Sequence, residues 1–283
     1  MKPSRLLLIW LGLAARLAYV AWKRKRTNDA LMQGMAAGPS AADKEVATLQ
    51  ARFKEATEVL QKAPGGKKAG LLSGGQMLYE LPWYIFIGAP GSGKTTALLN
   101  AGLTFPLADK LGHGGVKGVG GTRNCDWWFT DEAVLLDTAG RYTTQDSDQQ
   151  ADKSAWDSFL ALLKKTRPRR PLNGVFLTLS VPDLIQLRPE QRSELATSLR
   201  RRLHELQTTL GVRLPVYVLV TKTDLLNGFV EYFAEFGKDQ RAQVWGFTLP
   251  QEGPGNAPLG ASVQRELRRL SERLCDGLVE RLQ

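Results

Sequence analysis

The 283-residue sequence predicts an α/β fold, with a mostly parallel sheet flanked by helices, on three observations. Short apolar runs at 81–87, 134–136, 175–179 and 216–220 read as strands, the first of them buried, and helical periodicity fills the stretches between them. The first run leads straight into a glycine-rich loop and then a helix. Composition agrees: 43% hydrophobic and 23% charged residues supply one sizeable core or two small ones, which excludes a disordered tail and a mini-protein. Cys125 and Cys275 are 150 positions apart, and His113 and His204 lack ligand-type neighbours, which excludes a zinc site and a disulfide scaffold.

The formal charge of +10 is local. Residues 1–70 carry 13 Lys and Arg against 5 Asp and Glu, whereas 71–283 carry 25 against 23. Leu6–Trp22 is a 17-residue apolar run broken only by Arg16 and followed by Lys23, Arg24, Lys25 and Arg26. That length is at the lower limit for a spanning helix, and Arg16 is near enough to the basic end for its stem to reach the interface. Residues 1–26 therefore read as a membrane anchor with a basic flank that keeps the following chain cytoplasmic. A surface-lying amphipathic helix is the rival; a signal peptide fits less well, since Ala18-Tyr19-Val20 is a poor cleavage site. The near balance of charge after residue 70 argues against nucleic-acid binding, which needs a clustered positive field. An unrelated membrane-associated GTPase with an RNA- or lipid-binding basic arm is thereby disfavoured.

Residues 27–70 form a helical connector. Val46, Leu49, Phe53, Ala56 and Leu60 recur at spacings of 3 and 4, and Pro64-Gly65-Gly66 ends the pattern. It either packs on the next domain or forms a coiled coil with a partner.

The segment 71–250 carries the chemistry. After the strand Leu81–Ile87 comes Gly88-Ala89-Pro90-Gly91-Ser92-Gly93-Lys94-Thr95, a GxxxxGK[ST] loop, with Thr96 continuing into a helix. Strand, loop and helix in that order make a phosphate-binding P-loop, and hence a P-loop NTPase of GTPase-like type. Glycines let backbone amides curl round phosphates, Lys94 reaches the β and γ oxygens, and the Thr95 hydroxyl can ligate Mg²⁺. Forty-three residues after Lys94, the second strand ends in Asp137-Thr138-Ala139-Gly140, a DxxG pattern. Asp137 would hold Mg²⁺ through water, and the Gly140 amide would meet the γ-phosphate. Between them lies a glycine-rich stretch from Gly112, in which Thr122 is the candidate sensor of Mg²⁺ and γ-phosphate, with Thr104 as rival. Asp126–Phe129 reads as a strand with one of Trp127 and Trp128 buried and the other exposed.

The strand Val216–Val220 runs into Thr221-Lys222-Thr223-Asp224, a TKxD pattern at the position where G proteins read the base. Asp224 would accept from guanine N1 and N2, and Lys222 would lie over the ring. This favours GTP over ATP, while Thr221 in place of the usual Asn keeps ATP open. Phe247-Thr248, after Val244-Trp245, is the candidate last base-contact loop.

Helices are expected over 155–164, at Leu195, Leu199, Leu203 and Leu206, and at Val263 to Leu278, where 251–283 forms a C-terminal helical extension that runs on without a terminator, as in a cut chain. The clusters Arg200-Arg201-Arg202 and Arg167–Arg170 read as solvated faces rather than binding patches. Efficient GTPases often follow DxxG with a water-orienting glutamine; here Arg141 stands there. Gln145, Asp146 or Asp148 is close enough in sequence to substitute, and Arg123 or Arg141 could stabilise charge in cis, so slow turnover is expected, either as a nucleotide switch or as a structural module that holds nucleotide without useful hydrolysis.

Taken together, Leu81 to Thr96, Gly121 to Phe129, Leu135 to Tyr142 and Leu172 to Val175 resemble the TssM (IcmF) family of type VI secretion inner-membrane components. The resemblance implies a GTPase-like domain on the cytoplasmic side of the inner membrane, beside TssL and TssJ and facing the baseplate proteins TssK and TssG. The resemblance also implies a second N-terminal membrane segment, a further membrane segment and a periplasmic domain, none of which is expected within these 283 residues.

Overall fold

The computed structural model describes residues 79, 81–105, 125–130, 132–145, 148–249 and 259–281, with scattered positions between 43 and 54. The predicted anchor, most of the connector, Thr122, Arg123 and Asp146 lie outside the described residues. Among those described, no helix is long and apolar enough to cross a membrane. Two compact units emerge: residues 1–179 with 188–219, and residues 180–187 with 220–283.

The first unit is an α/β domain with a mixed sheet. Strands β1 (Trp83–Ile87), β2 (Cys125–Phe129), β3 (Val134–Thr138), β4 (Gly174–Ser180) and β5 (Val216–Thr221) are ordered β2-β3-β1-β4-β5. β1 pairs in parallel with β3 and with β4, as expected of near-continuous apolar strands. The exception is β2, which is antiparallel to β3 because only a short turn joins them: Thr130 Oγ1 accepts from the amides of Glu132 and Ala133.

Alternation along β1 sets two cores. Trp83, Ile85 and Ile87 face one side, where α3 (Gln149–Thr166) buries Ala155, Trp156, Phe159, Leu160 and Leu163, and α5 (Pro189–Leu210) buries Leu206 and Leu210. Phe86 faces the other side with Leu135, Trp128 and Leu98 of α1 (Lys94–Leu99). The two tryptophans depart from expectation, since neither is exposed: Trp128 is buried, and half-buried Trp127 meets Trp83 edge-on with ring centroids 5.3 Å apart. The arginine clusters depart as well. Arg167 is buried with its guanidinium 4.5 Å from the Trp83 ring centre, and Arg202 is buried on the inner face of α5, while Arg200 and Arg201 remain exposed. Residue type predicted solvation; a planar cation that stacks on an indole, or reaches a partner carboxylate, is buried instead.

The five-residue helix α2 (Gly140–Thr144) follows β3 directly. The second unit contains α4 (Val181–Ile185), a 3₁₀ turn (Thr223–Leu225), α6 (Phe229–Tyr232), α7 (Lys238–Arg241) and α8 (Leu259–Arg281).

Candidate functional site

The register of β1 and β3 pairs Phe86 with Asp137, so the acid lies beside the strand end from which the Gly88–Thr95 loop departs. Two buried hydroxyls reinforce this junction: Thr138 donates to the Phe86 carbonyl at 2.6 Å, and Thr178 of β4 to the Ile87 carbonyl at 3.0 Å. The loop turns tightly, with the Ser92 amide donating to the Ala89 carbonyl at 3.1 Å. Gly91 and Gly93 have φ of 71° and 81°, and Gly93 precedes α1 with no side-chain cap. A bulkier residue at Gly93 would be strained at the point where the chain enters the helix.

Lys94 is buried and folded back over the loop. Its Nζ donates to the Gly88 and Ala89 carbonyls at 2.9 and 3.0 Å. Burial pulls its pKa down from 10.5 to about 8, with the Asp137 carboxylate opposing the shift. The ammonium is therefore held beside the crest in a place where an anion would be a better partner than two carbonyls. Next to it, Thr95 Oγ1 donates to Asp137 Oδ2 at 2.5 Å, and Asp137 is wholly buried. A hydroxyl and a carboxylate in contact form an oxygen-only pair of the kind a hard divalent cation takes, so these residues fit Mg²⁺.

Gly140 begins α2 against the loop crest. A Cβ there would fall 2.4 Å from both N and Cα of Pro90, so only glycine permits this approach. A second contact helps hold α2 to the loop, because the Gly88 amide donates to Thr143 Oγ1 at 3.2 Å. The structure thus brings Gly88 to Thr95, Thr96 at the start of α1, Asp137 and Gly140 together. Thr104 lies exposed beyond α1.

The groups expected to position water or to stabilise charge have other engagements. Arg141 Nη1 donates to Asp152 Oδ1 at 2.6 Å, and Asp152 is wholly buried. Gln145, at φ 58°, accepts from Arg202 Nη2 at 3.5 Å, and Arg202 also pairs with Glu205 at 3.0 Å. Asp148 caps α3 by accepting from the Ala151 amide at 3.0 Å. Thr143, Asp152 and Arg202 had no local signature in sequence. Their partners are 55, 11 and 57 residues away, and only folding joins them.

The second unit holds Thr221, Lys222 and Asp224. Lys222 is exposed with φ 57°, an unusual conformation for a lysine, and it precedes the 3₁₀ turn that carries Asp224. Within this unit Asp224 lines a cavity of about 580 Å³ together with Phe229, Phe233, Trp245, Leu270 and Arg273. Trp245, singled out with Val244 ahead of Phe247, thus shares a cavity with Asp224, while Phe247 does not line it.

Residues 149–283 match the IcmF-related N-terminal domain family. The chain is also 52% identical over 261 residues to the type VI secretion system component TssM1 of Pseudomonas aeruginosa (strain PAO1). That alignment covers 89% of this chain and 23% of the relative, so the chain spans under a quarter of that protein's length.

Proposed function

We propose, from the premise that this chain belongs to the TssM/IcmF family of type VI secretion components, that it is a membrane-tethered nucleotide-binding module that hydrolyses slowly. The observation that carries the reading is buried Lys94 over a Gly88–Thr95 loop, beside the contact between Thr95 and Asp137. On this reading the loop amides and Lys94 bind the β and γ phosphates of GTP or ATP, and Thr95 and Asp137 hold Mg²⁺, with Thr122 as a further ligand. The cation supplies charge neutralisation at the phosphate oxygens. The Gly140 amide receives the terminal phosphate, and Asp224 with Thr221 and Lys222 reads the base, which favours GTP.

Hydrolysis is in-line attack of water on the terminal phosphorus, for which this chain supplies positioning and charge rather than covalent chemistry. Arg141 occupies the place of the usual glutamine and is bound to Asp152; Gln145 is engaged by Arg202. These engagements support slow turnover, and they equally favour a second reading in which bound nucleotide is structural. By resemblance to its family, the module is anchored in the inner membrane through residues 6–22, lies mostly in the cytoplasm, and gates or supports assembly with TssL, TssJ, TssK and TssG.

The test is titration of the chain in detergent with fluorescent GTP and ATP analogues and Mg²⁺, using wild type, Lys94→Ala and Asp224→Ala. Expected is GTP preference, loss of binding in the lysine variant and loss of base preference in the aspartate variant. Equal binding of both analogues would move the assignment to ATP or to a structural role, and absence of binding would overturn the reading. Lys94→Ala in cells separates the two readings of turnover, since lost secretion from an assembled complex contradicts a purely structural part.

A further inference from the structure

Helix α2 has only five residues, too few to be stable without outside contacts, and its position therefore depends on what it touches. On the loop side it meets Pro90 through Gly140 and the Gly88 amide through Thr143. On the far side its first turn is tied to α3 by the 2.6 Å pair between Arg141 and Asp152. Asp152 lies in the first turn of α3 with no exposed surface, and a carboxylate in such a place is costly unless it is partnered. The guanidinium of Arg141 also lies 4.9 Å from the centre of the Tyr142 ring, which borders it on one side.

We infer that Asp152 is a positioning residue for the phosphate site: by holding Arg141 it fixes α2, and with it the Gly140 amide, against the crest of the Gly88–Thr95 loop. The inference rests on the nucleotide reading of that loop and adds to it a source of discrimination between tri- and diphosphate. Gly140 is the group that meets the terminal phosphate, whereas the loop and Lys94 also grip the phosphates that a diphosphate retains. Loosening the tie from α3 therefore weakens the triphosphate complex selectively. Arg141, which sequence reasoning offered as a charge-stabilising group, acts in this arrangement as the link between α3 and the phosphate contact.

The experiment measures affinities of the full chain in detergent for a fluorescent GTP analogue and for GDP, in wild type, Asp152→Asn, Arg141→Gln and the double variant. Asp152→Asn keeps shape and removes charge. The expected result is a drop of about fivefold in the triphosphate-to-diphosphate affinity ratio, the size of one weakened hydrogen bond. Arg141→Gln should give the same drop and the double variant no more. Equal losses for both nucleotides, accompanied by a lower melting temperature, would mean that the pair only stabilises the fold and would overturn the inference, as would an unchanged ratio. Wild type that binds neither nucleotide would instead overturn the nucleotide reading itself. If Asp152→Asn fails to fold, the ratio in Arg141→Gln decides, because Arg141 is partly exposed.

Discussion

The two units cover their apolar residues to different extents, although the edge strand β5 leaves Val216, Tyr217 and Val218 of the first unit 44–55% exposed. In the first, Ile85, Leu136, Val175 and Leu160 are sealed between sheet and helices, whereas in the second Val230, Val244, Trp245 and Leu267 are between 48% and 93% exposed. The candidate chemistry divides along the same line. Lys94 and Asp137 are buried beside a fixed strand end, while Lys222 and Asp224 are exposed on a turn. Phosphate chemistry calls for preorganised charge in a dry setting, where each interaction is strongest. Base recognition needs a shaped surface that a ligand can enter. The contrast therefore gives the loop residues of the first unit and the Thr221–Asp224 turn of the second different sensitivities to mutation.

The sharpest way to break this comparison is core truncation. Ile85→Ala should destabilise the first unit by about 2–5 kcal/mol, because β1 is packed on both faces. Leu267→Ala, at a position 54% exposed, should stay within about 0.5 kcal/mol. Urea unfolding followed by circular dichroism measures both, and a comparable loss at Leu267 would mean that the second unit is covered in solution.

How far the sequence revealed each unit follows from the same physics. Strands β1 and β3 were legible because a strand buried on both faces must be apolar throughout, and Trp83–Ile87 and Val134–Leu136 are; β5 was legible from its β-branched run, although Val216, Tyr217 and Val218 are 44–55% exposed at the sheet edge. Helix α3 emerged longer than expected at both ends, since Asp148 caps it and Arg167 ends it through contacts with Trp83 that no spacing announces. The GxxxxGKT and DxxG patterns pointed to Lys94, Thr95, Asp137 and Gly140, which the fold brings together, because the proposed chemistry restricts residue types at those positions. The groups that hold α2 were illegible: Thr143, Asp152 and Arg202 are ordinary residues made relevant by tertiary contact. In the second unit, Asp224 was visible from its motif, but the aromatic wall formed by Phe229 and Phe233 was not.

Protonation of Lys94 sharpens the contrast further. Its pKa in the folded chain is near 8, against 10.5 for the free group. Between those values the unfolded chain keeps a proton that the folded chain has released, so this residue makes stability rise with pH across that window. Below pH 8 both states are charged and the cost of burial is fully present. The proposed nucleotide binding would run the other way, since phosphate favours the ammonium and would have to recruit the proton above pH 8. Affinity should then fall with each pH unit, approaching about tenfold, and Lys94→Arg, which stays charged, should flatten the slope. A flat wild-type profile would mean that the ammonium is not what grips the phosphates. Asp224→Ala, which leaves Lys94 and its surroundings in place, should keep the pH slope as it is.

The smallest effect compares two residues with the same backbone strain. Gln145 and Lys222 have φ of 58° and 57°, one buried in the first unit and the other exposed in the second. Left-handed backbone costs a side-chain-bearing residue roughly 1 kcal/mol, so glycine relieves both, less the entropy it returns to the unfolded chain. For Lys222→Gly that balance should stabilise by about 0.5 kcal/mol, because among the described residues its side chain makes no hydrogen bond to a neighbouring element. For Gln145→Gly the same relief competes with loss of the acceptor facing buried Arg202, and the net change should be a loss of about 1 kcal/mol. Opposite signs in parallel urea titrations would establish that the first unit spends backbone strain on a polar contact between α2 and α5. Equal stabilisation by both would mean that Arg202 is satisfied by Glu205 alone, and that Gln145 adds nothing to the hold on α2 made by Asp152 and Thr143.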